Sequence, residues 1–569
     1  MDEKAPPFSL LSRREFLKSA ALGSAVFLGP SGLKSGIPSS IGSQSAPRRP
    51  NIILLLADDM GYSDIGCFGG EIRTPNIDRL AANGLRFTRF HNSARCCPSR
   101  ASLLTGLYPH HTGIGDMMAD LGADGYRGDL NRRCLTVAEV LRGAGYGTYA
   151  VGKWHVTRHL PPDGPKHNWP LQRGFDRFFG TITGAGSFFE PDTLLNDNAT
   201  AEPGAGFYYT DALADRAVEF IRRHLSASPE KPFFLYGAFT APHWPLHAPA
   251  EAVTACRGRF SRGWDALRAE RHSRMVEMGI VDKRWRLSPR DPDVPAWADA
   301  PEKDWQARRM EVYAAQVEIM DGGIGRITAA LEAAGTLDNT IILFLSDNGG
   351  CHEELTESWS DYFFKGREKV VRRATRDGRI VRFFNDPKVM PGPDDTYQSY
   401  GRPWANLSNT PFRLFKVFAH EGGTATPLVV HWPAGIAARG EIRRPLGHII
   451  DVMATCVEAA GAKYPAASES PDILPLEGMS LLPAFSGRRL EREAIFCEHE
   501  GNRSVITPEW KLVARGMKGA WELYDMGADR TETNDVSAGN ASTAARLAGM
   551  WDVWARRTGV LPRPRRDKT

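Results

Sequence analysis

Asp58 and Asp59 follow directly on the apolar run Asn51-Ile-Ile-Leu-Leu-Leu-Ala57, and three other runs end in the same manner. Thr148-Tyr-Ala-Val151 leads into Lys153 and His155, Phe233–Phe239 into His243, and Thr340–Leu345 into Asp347 and Asn348. Asp58, Asp59, Asp347 and Asn348 make a set of hard oxygen donors with neither thiolate nor paired imidazole. Such a set favours Ca²⁺ or Mg²⁺ over zinc or copper. Three carboxylates gathered in one place repel one another unless a divalent cation compensates them. Taken singly, each residue reads as an ordinary turn, helix cap or structural histidine. Taken jointly, four strand ends with this chemistry point to one site. A thiol belongs with them. Cys96-Cys97-Pro98-Ser99-Arg100 opens a helical run through Leu104. Cys96 therefore sits just ahead of a helix N-terminus, where free N–H groups and the dipole favour an anion. Arg100 lies one turn further on, aimed back at the same place. A reactive thiolate fits this environment, and so does a structural buried cysteine.

The elements that must position these residues follow from the pattern. Short, fully apolar runs are strands buried on both faces. Helical patterns at Leu135–Ala144, Asp211–Leu225 and Ala314–Ala334 separate them. Strands alternating with helices predict an α/β fold, a large and mainly parallel sheet sandwiched by helices. Ligands in such sheets bind beyond the carboxyl ends of the strands, so one edge receives all of these side chains.

At 569 residues the chain is long enough for a large domain and a smaller one. Its net charge of +4 leaves no footprint for nucleic acid. The basic stretches Lys365–Arg382 and Arg556–Lys568 read as solvated faces or loose ends, the first also as a weak attractor of anionic substrates. The eight cysteines are scattered without a CxxC, which argues against a disulfide scaffold or a structural zinc site. At the start, Ser12-Arg13-Arg14-Glu15-Phe16-Leu17-Lys18 precedes a short, weakly apolar stretch from Ala20 to Leu28. This reads as an export signal too short to span a bilayer, and no other segment is a candidate span. It resembles a bacterial twin-arginine signal. That resemblance implies a twin-arginine translocase as partner and a periplasmic or secreted destination, with folding completed in the cytoplasm. Residues 1–49 are thus expected to be signal and Ser/Gly/Pro-rich linker.

From about Pro50 to Pro433 the chain carries a series of motifs in order. They are RPNIILLLADDMGYSDIGCFGG, TPNIDRLAANGLRFTRFHN, Cys96-Cys97-Pro98-Ser99-Arg100 with ASLLTG, GYGTYAVGKWH, TAPHWPLHAP, SDNGG and NTPFRLFKVFAHEGGTATPLVVHWP. The Cys-x-Pro-Ser-Arg form and its neighbours resemble the type I sulfatases of the alkaline phosphatase superfamily. YGRPWANLSNTPFR and the stretch after it resemble the bacterial arylsulfatase branch.

The resemblance implies an alkaline phosphatase-like catalytic domain over 50–462. It implies that Cys96 is converted to formylglycine by a formylglycine-generating or sulfatase-maturing enzyme, and that its hydrate is the nucleophile, Cys97 being the permitted x residue. Asp58, Asp59, Asp347, Asn348 and the modified Cys96 would hold calcium, with Mg²⁺ or Mn²⁺ as the other choices. Arg100, Lys153 and Lys416 would supply positive charge. His243, with Lys416, would protonate the leaving oxygen, and His155 would take the proton whose loss expels sulfate. The implied reaction is hydrolysis of aryl or related sulfate monoesters, on small molecules or glycans.

Two other readings use the same residues. One is a phosphodiesterase or phosphonate monoester hydrolase; the other is a noncatalytic anion- or glycan-binding protein. Beyond Pro433, Leu446–Ile450 and Val452–Gly461 read as the last strand and helix of the main domain. Ser504–Ile506, Trp510–Val513 and Trp521–Tyr524 read as short antiparallel strands, followed by a helix from Ala541 to Arg556. They form a small C-terminal α+β subdomain over 463–569. Residues 351–400 read as an insertion that either overhangs the pocket and selects substrate or is an ordinary surface excursion.

Overall fold

In the computed structural model, Asn51–Ala57 forms a strand, β1, with all seven residues buried. Side chains alternate across a strand, and here both sides are covered. Ile53, Leu55 and Ala57 enter one hydrophobic core, and Ile52, Leu54 and Leu56 enter another on the opposite face. Each aliphatic side chain so buried contributes roughly 1.5–3 kcal/mol. The structure describes residues 48–365, 371–466 and 468–564. The Arg13-Arg14 signal, most of the linker, part of the basic stretch Lys365–Arg382 and the last residues of the basic tail lie outside them.

The large sheet has eleven strands. Those that matter for the site are β1, β2 (Leu85–His91), β3 (Gly147–Lys153), β4 (Arg177–Thr181), β5 (Phe233–Ala238), β6 (Thr340–Ser346) and β7 (Ala425–His431). Their order across the sheet is β2-β7-β6-β1-β5-β3-β4, with short strands at both edges. The five central strands β6, β1, β5, β3 and β4 run parallel, as the alternating pattern predicts. β7 is antiparallel to both of its neighbours, so the sheet is mixed. In register, Leu56 pairs with Ala238 and Ala57 with Ser346. Asp58 therefore leaves the sheet level with the ends of two other strands.

Cys96–Thr105 forms helix α1, Tyr209–Ala227 α2, Lys303–Ala333 α3 and Asp451–Ala459 α4. α2 and α3 cover one face of the sheet, while α1 and α4 pack on the other. The expected helix at Ala314–Ala334 begins eleven residues earlier, at Lys303. Leu446–Ile450 contributes only a two-residue strand, Gly447–His448, beside β2. A separate antiparallel sheet is formed by β8 (Ile495–His499), β9 (Asn502–Ile506), β10 (Trp510–Ala514) and β11 (Glu522–Asp525). Helix α5 (Ala541–Thr558) packs on it through Leu547, Trp551 and Trp554. β8 has no counterpart among the expected strands. No helix of the described residues is long and apolar enough to cross a membrane.

Candidate active site

The turn after β1 carries Asp58 and Asp59, the turn after β6 carries Asp347 and Asn348, and Lys153 ends β3. His243 lies in the loop after β5, and Lys416 arrives from the segment before β7. All are at most 4% exposed, as are Arg100, Cys96 and His155. The strand ends bring Asp58, Asp59, Lys153, His155, His243, Asp347 and Asn348 to one edge, as expected, and Cys96 and Arg100 of α1 and Lys416 join them there.

Ion pairs join them into one network. Lys153 Nζ donates to Asp58 Oδ2 at 2.6 Å, and Lys416 Nζ donates to Asp59 Oδ2 at 2.7 Å. Arg100 donates to Asp347 Oδ2 from Nε at 3.0 Å and lies 2.8 Å away through its terminal nitrogen. Asn348 Nδ2 donates to Asp59 Oδ1 at 2.7 Å, and the Asp59 N–H donates to Asp347 Oδ1 at 3.2 Å. His243 Nε2 sits 3.3 Å from Asp59 Oδ2 and 3.4 Å from Lys416 Nζ.

Burial and mutual repulsion strain the carboxylates. Burial, together with Asp58, pushes the Asp347 carboxyl up to about 7. Burial also raises Asp58 despite Lys153 and Arg100. Burial acts on Asp59 too, but Lys416 and His243 outweigh it and hold its carboxyl below the usual range. Burial drops the His243 ring to about 4, against the pull of Asp59. Two buried oxygens, Asp58 Oδ1 and Asn348 Oδ1, accept no hydrogen bond. Crowded oxygen donors, two of them orphaned in one place, are what a hard divalent cation satisfies, so this donor set fits Ca²⁺ or Mg²⁺.

The backbone bends sharply to make these placements. Asp59, Ala94, His155 and Val417 are non-glycine residues with φ of 64°, 60°, 57° and 85°. Each such left-handed residue costs on the order of 1–3 kcal/mol, and such strain concentrates at functional sites. Gly349 supplies the close approach on the β6 side, because a Cβ there would lie 1.9 Å from the Gly422 carbonyl oxygen.

Cys96 is the first residue of α1 rather than the residue before it; Arg95 has the extended backbone of a cap. Hydrogen bonding from Cys97 holds the Cys96 thiol well below its ordinary value; burial opposes this, and Lys153 and His155 assist it. Cys97 Sγ lies 3.2 Å from His155 Nε2, so the neighbouring thiol touches the site as well. Gly184 leaves room for the His155 ring, since a Cβ there would come within 2.2 Å of it.

Four further residues at the rim, Arg95, Trp244, Glu353 and Phe363, follow from the structure. Glu353 takes a hydrogen bond from Arg95 at 2.9 Å and another from the Trp244 indole at 2.9 Å. Although burial pushes its carboxyl up, Lys416 and Arg95 dominate and hold it well below the usual range. Phe363 packs edge-on against Trp244, ring centroids 5.3 Å apart. The insertion thus reaches the site through Glu353 and Phe363. Glu353 stands only six residues past Asp347, close enough to the end of β6 to be sought there. Arg95 directly precedes Cys96, and its reach towards the rim has no sequence signal.

The sulfatase family model matches residues 50–462 of this chain. An uncharacterised sulfatase of Schizosaccharomyces pombe is 32% identical over 92% of this chain and 96% of its own length. An arylsulfatase of Klebsiella aerogenes is 32% identical over 78% of this chain and 94% of its own. Among solved structures, i-CgsB in complex with a neocarrahexaose superposes with a TM-score of 0.63 at 24% identity, covering 91% of this chain and 95% of the other. Another, in complex with its substrate D-glucosamine-2-N,6-O-disulfate, gives 0.61 at 21% identity over 91% of this chain and all of the other. At these identities the structural likeness speaks for the fold alone.

Proposed function

The chain belongs to the sulfatase family, and we propose that it hydrolyses aryl and related sulfate monoesters through a formylglycine formed at Cys96. The observation that carries this reading is the surround of Cys96, which opens α1 one turn before Arg100, itself 2.8 Å from Asp347, and beside Cys97, whose Sγ meets His155 at 3.2 Å. Cys96 Sγ stands where the oxygens of the modified side chain would stand. Formylglycine would supply a hydrated aldehyde whose hydroxyl attacks sulfur. Asp58, Asp59, Asp347 and Asn348 would hold the divalent cation, calcium in this reading, which draws negative charge from the bound ester.

A sulfate monoester resists attack because its oxygens shield sulfur with negative charge. Lys153, Lys416 and Arg100 oppose that charge from buried, fixed positions, so little reorganisation is needed as the reaction proceeds. At an effective dielectric near 20, one charge contact at 4 Å is nominally ~4 kcal/mol before desolvation. His243 Nδ1 lies 2.6 Å from the Trp244 carbonyl oxygen. A carbonyl only accepts, so Nδ1 carries the proton and Nε2 turns a lone pair to Lys416. An anionic ester beside this pair favours a proton on Nε2, from which it passes to the leaving oxygen. His155, in contact with the thiol pair, is placed to take a proton at the Cys96 position. Trp244 and Phe363 offer an apolar wall that suits an aryl leaving group. A cytoplasmic maturation followed by twin-arginine export to the periplasm or beyond belongs to the same proposal.

Peptide mass spectrometry across Cys96, on active protein produced with a maturation enzyme, is expected to find the aldehyde. Cys96→Ala is expected to abolish sulfate release from an aryl sulfate. Turnover by protein whose Cys96 is unmodified, or a higher kcat/KM on a matched aryl phosphodiester than on the aryl sulfate, would overturn the proposal.

A further inference from the structure

A second cluster of ligand atoms lies outside this network, on Asp129, His159 and His167. Asp129 belongs to the loops between α1 and β3, and the two histidines to the segment that continues from Lys153 and His155 beyond β3. His167 Nε2 lies 2.9 Å from Asp129 Oδ2, and His159 Nε2 lies 3.5 Å from the same oxygen. All three donor atoms are within 4.8 Å of one another, and the two rings meet edge to face at 4.9 Å.

These separations have a simple meaning. Metal–ligand bonds of about 2.0–2.2 Å in a tetrahedron put neighbouring donors about 3.4 Å apart. One of the two distances, 2.9 Å, is an ordinary hydrogen bond, but the other, 3.5 Å, is beyond the usual range for one. Two imidazoles crowding one carboxylate oxygen are better explained as the first ligands of an ion than as rival donors to one acceptor.

We propose that Asp129, His159 and His167 form a binding site for a borderline divalent transition ion such as Zn²⁺, distinct from the hard-oxygen site around Cys96. The neighbouring contacts hold the ligands in place. Thr157 Oγ1 donates to the other oxygen, Asp129 Oδ1, at 2.7 Å, and the Trp169 indole donates to the His159 carbonyl at 2.7 Å. Such outer contacts orient ligands and tune their affinity. The side chains of Asp129, His159 and His167 are 13%, 25% and 40% exposed, so the ion reaches solvent and a fourth position is open to water. Donor type sorts the two sites. Imidazole suits zinc, copper or nickel, whereas calcium seeks six to eight oxygens. A bound ion would clip together two rim segments, one of which carries Met117 against Arg95.

The test is a Co²⁺ titration of the full-length protein in saturating Ca²⁺, read by visible d–d absorption. Wild type is expected to show the strong absorption of one tetrahedral equivalent, without a near-ultraviolet sulfur-to-cobalt band. That band would mark the Cys96–Cys97–His155 group instead. His159→Ala and His167→Ala are each expected to lose the d–d signal while turning over an aryl sulfate at the wild-type rate without added Co²⁺. Thr157→Val is expected to weaken Co²⁺ binding by roughly 10-fold or more. Absence of the signal from wild type, its survival in both histidine variants, or its appearance only with the sulfur band would overturn the proposal. The d–d signal of the Asp129–His159–His167 site does not depend on whether Cys96 is modified.

Discussion

Cys96 and Cys97 are adjacent in the chain, yet the structure gives them unequal surroundings. Both are packed in the same core, but Cys96 interacts with Lys153 and with Asp58, Asp59 and Asp347, while Cys97 Sγ meets His155 Nε2 at 3.2 Å. Cys97→Ala is therefore expected to keep sulfate release within roughly tenfold of wild type, the scale of one neutral hydrogen bond. Steady-state kinetics alongside Cys96→Ala would show whether the two thiols have been assigned correctly. His243 calls for a different measurement. If the His243–Lys416 pair delivers the proton to the leaving oxygen, His243→Ala should slow esters of weakly acidic alcohols by roughly 10²–10⁴-fold. Esters of strongly acidic phenols should suffer much less. A series of aryl sulfates of graded leaving-group pKa would measure this, and equal losses across it would remove His243 from that role.

The element that matters most is the turn at the end of a strand. β1, β3 and β6 stop within one register step of one another, and each hands its polar residues to a turn that ordinary side chains resist. Asp59 and His155 accept left-handed backbone to do so. Gly349 allows the β6 turn to touch Gly422. Gly349→Ala places a Cβ 1.9 Å from a carbonyl oxygen, so the turn must shift and take Asp347 and Asn348 with it. A displacement of about 1 Å is enough to cost ~10²-fold in rate. We expect that loss in kcat/KM, with a higher concentration of added divalent cation needed for half-maximal activity, while the circular dichroism of the fold is kept. The helix beginning at Cys96 turns two side chains to the site, its first residue and, one turn further on, Arg100, which reaches Asp347.

Across the whole molecule, the small C-terminal sheet is tied to the main sheet through buried charge. Glu421 meets His91 at 3.0 Å, Lys511 at 2.9 Å and Arg530 at 2.7 Å, all of them buried. Burial alone would raise the Glu421 carboxyl, but Lys511, His91 and Arg530 hold it well below the usual value. Glu498, held below its usual value against burial chiefly by its hydrogen bond with His110 at 2.9 Å, repeats the device. A carboxylate with a depressed folded-state pKa stabilises above its unfolded value near 4.5, and that contribution is lost as pH falls towards the folded one. His448, kept neutral by burial, adds to the trend from about pH 6.5 downward, because only the unfolded chain takes up that proton. Thermal melts are thus expected to show Tm falling below about pH 6.5 and more steeply below about 4.5. Glu421→Ala should cost roughly 3–5 kcal/mol, since it strands Arg530 as a buried charge without its carboxylate and leaves Lys511 with Glu532 alone.

Much of this was legible in the chain itself. The apolar runs fixed which residues are strands, because only a strand covered on both faces is apolar throughout. The abrupt change to Asp, Asn, Lys or His marked their carboxyl ends, which is why Asp58, Asp59, Lys153, His155, His243, Asp347 and Asn348 meet. The antiparallel placement of β7 was not legible, since a buried run looks the same in either direction. Neither was β8, whose Cys497, Glu498 and His499 break the apolar pattern because they face buried partners rather than water. Glu353, Arg95 and the Asp129–His159–His167 cluster belong to the same class. Sequence sets the chemistry of each residue and the period of each element, both of which are local. Which charge faces which depends on the path of loops that carry no periodicity, and only the tertiary structure decides it.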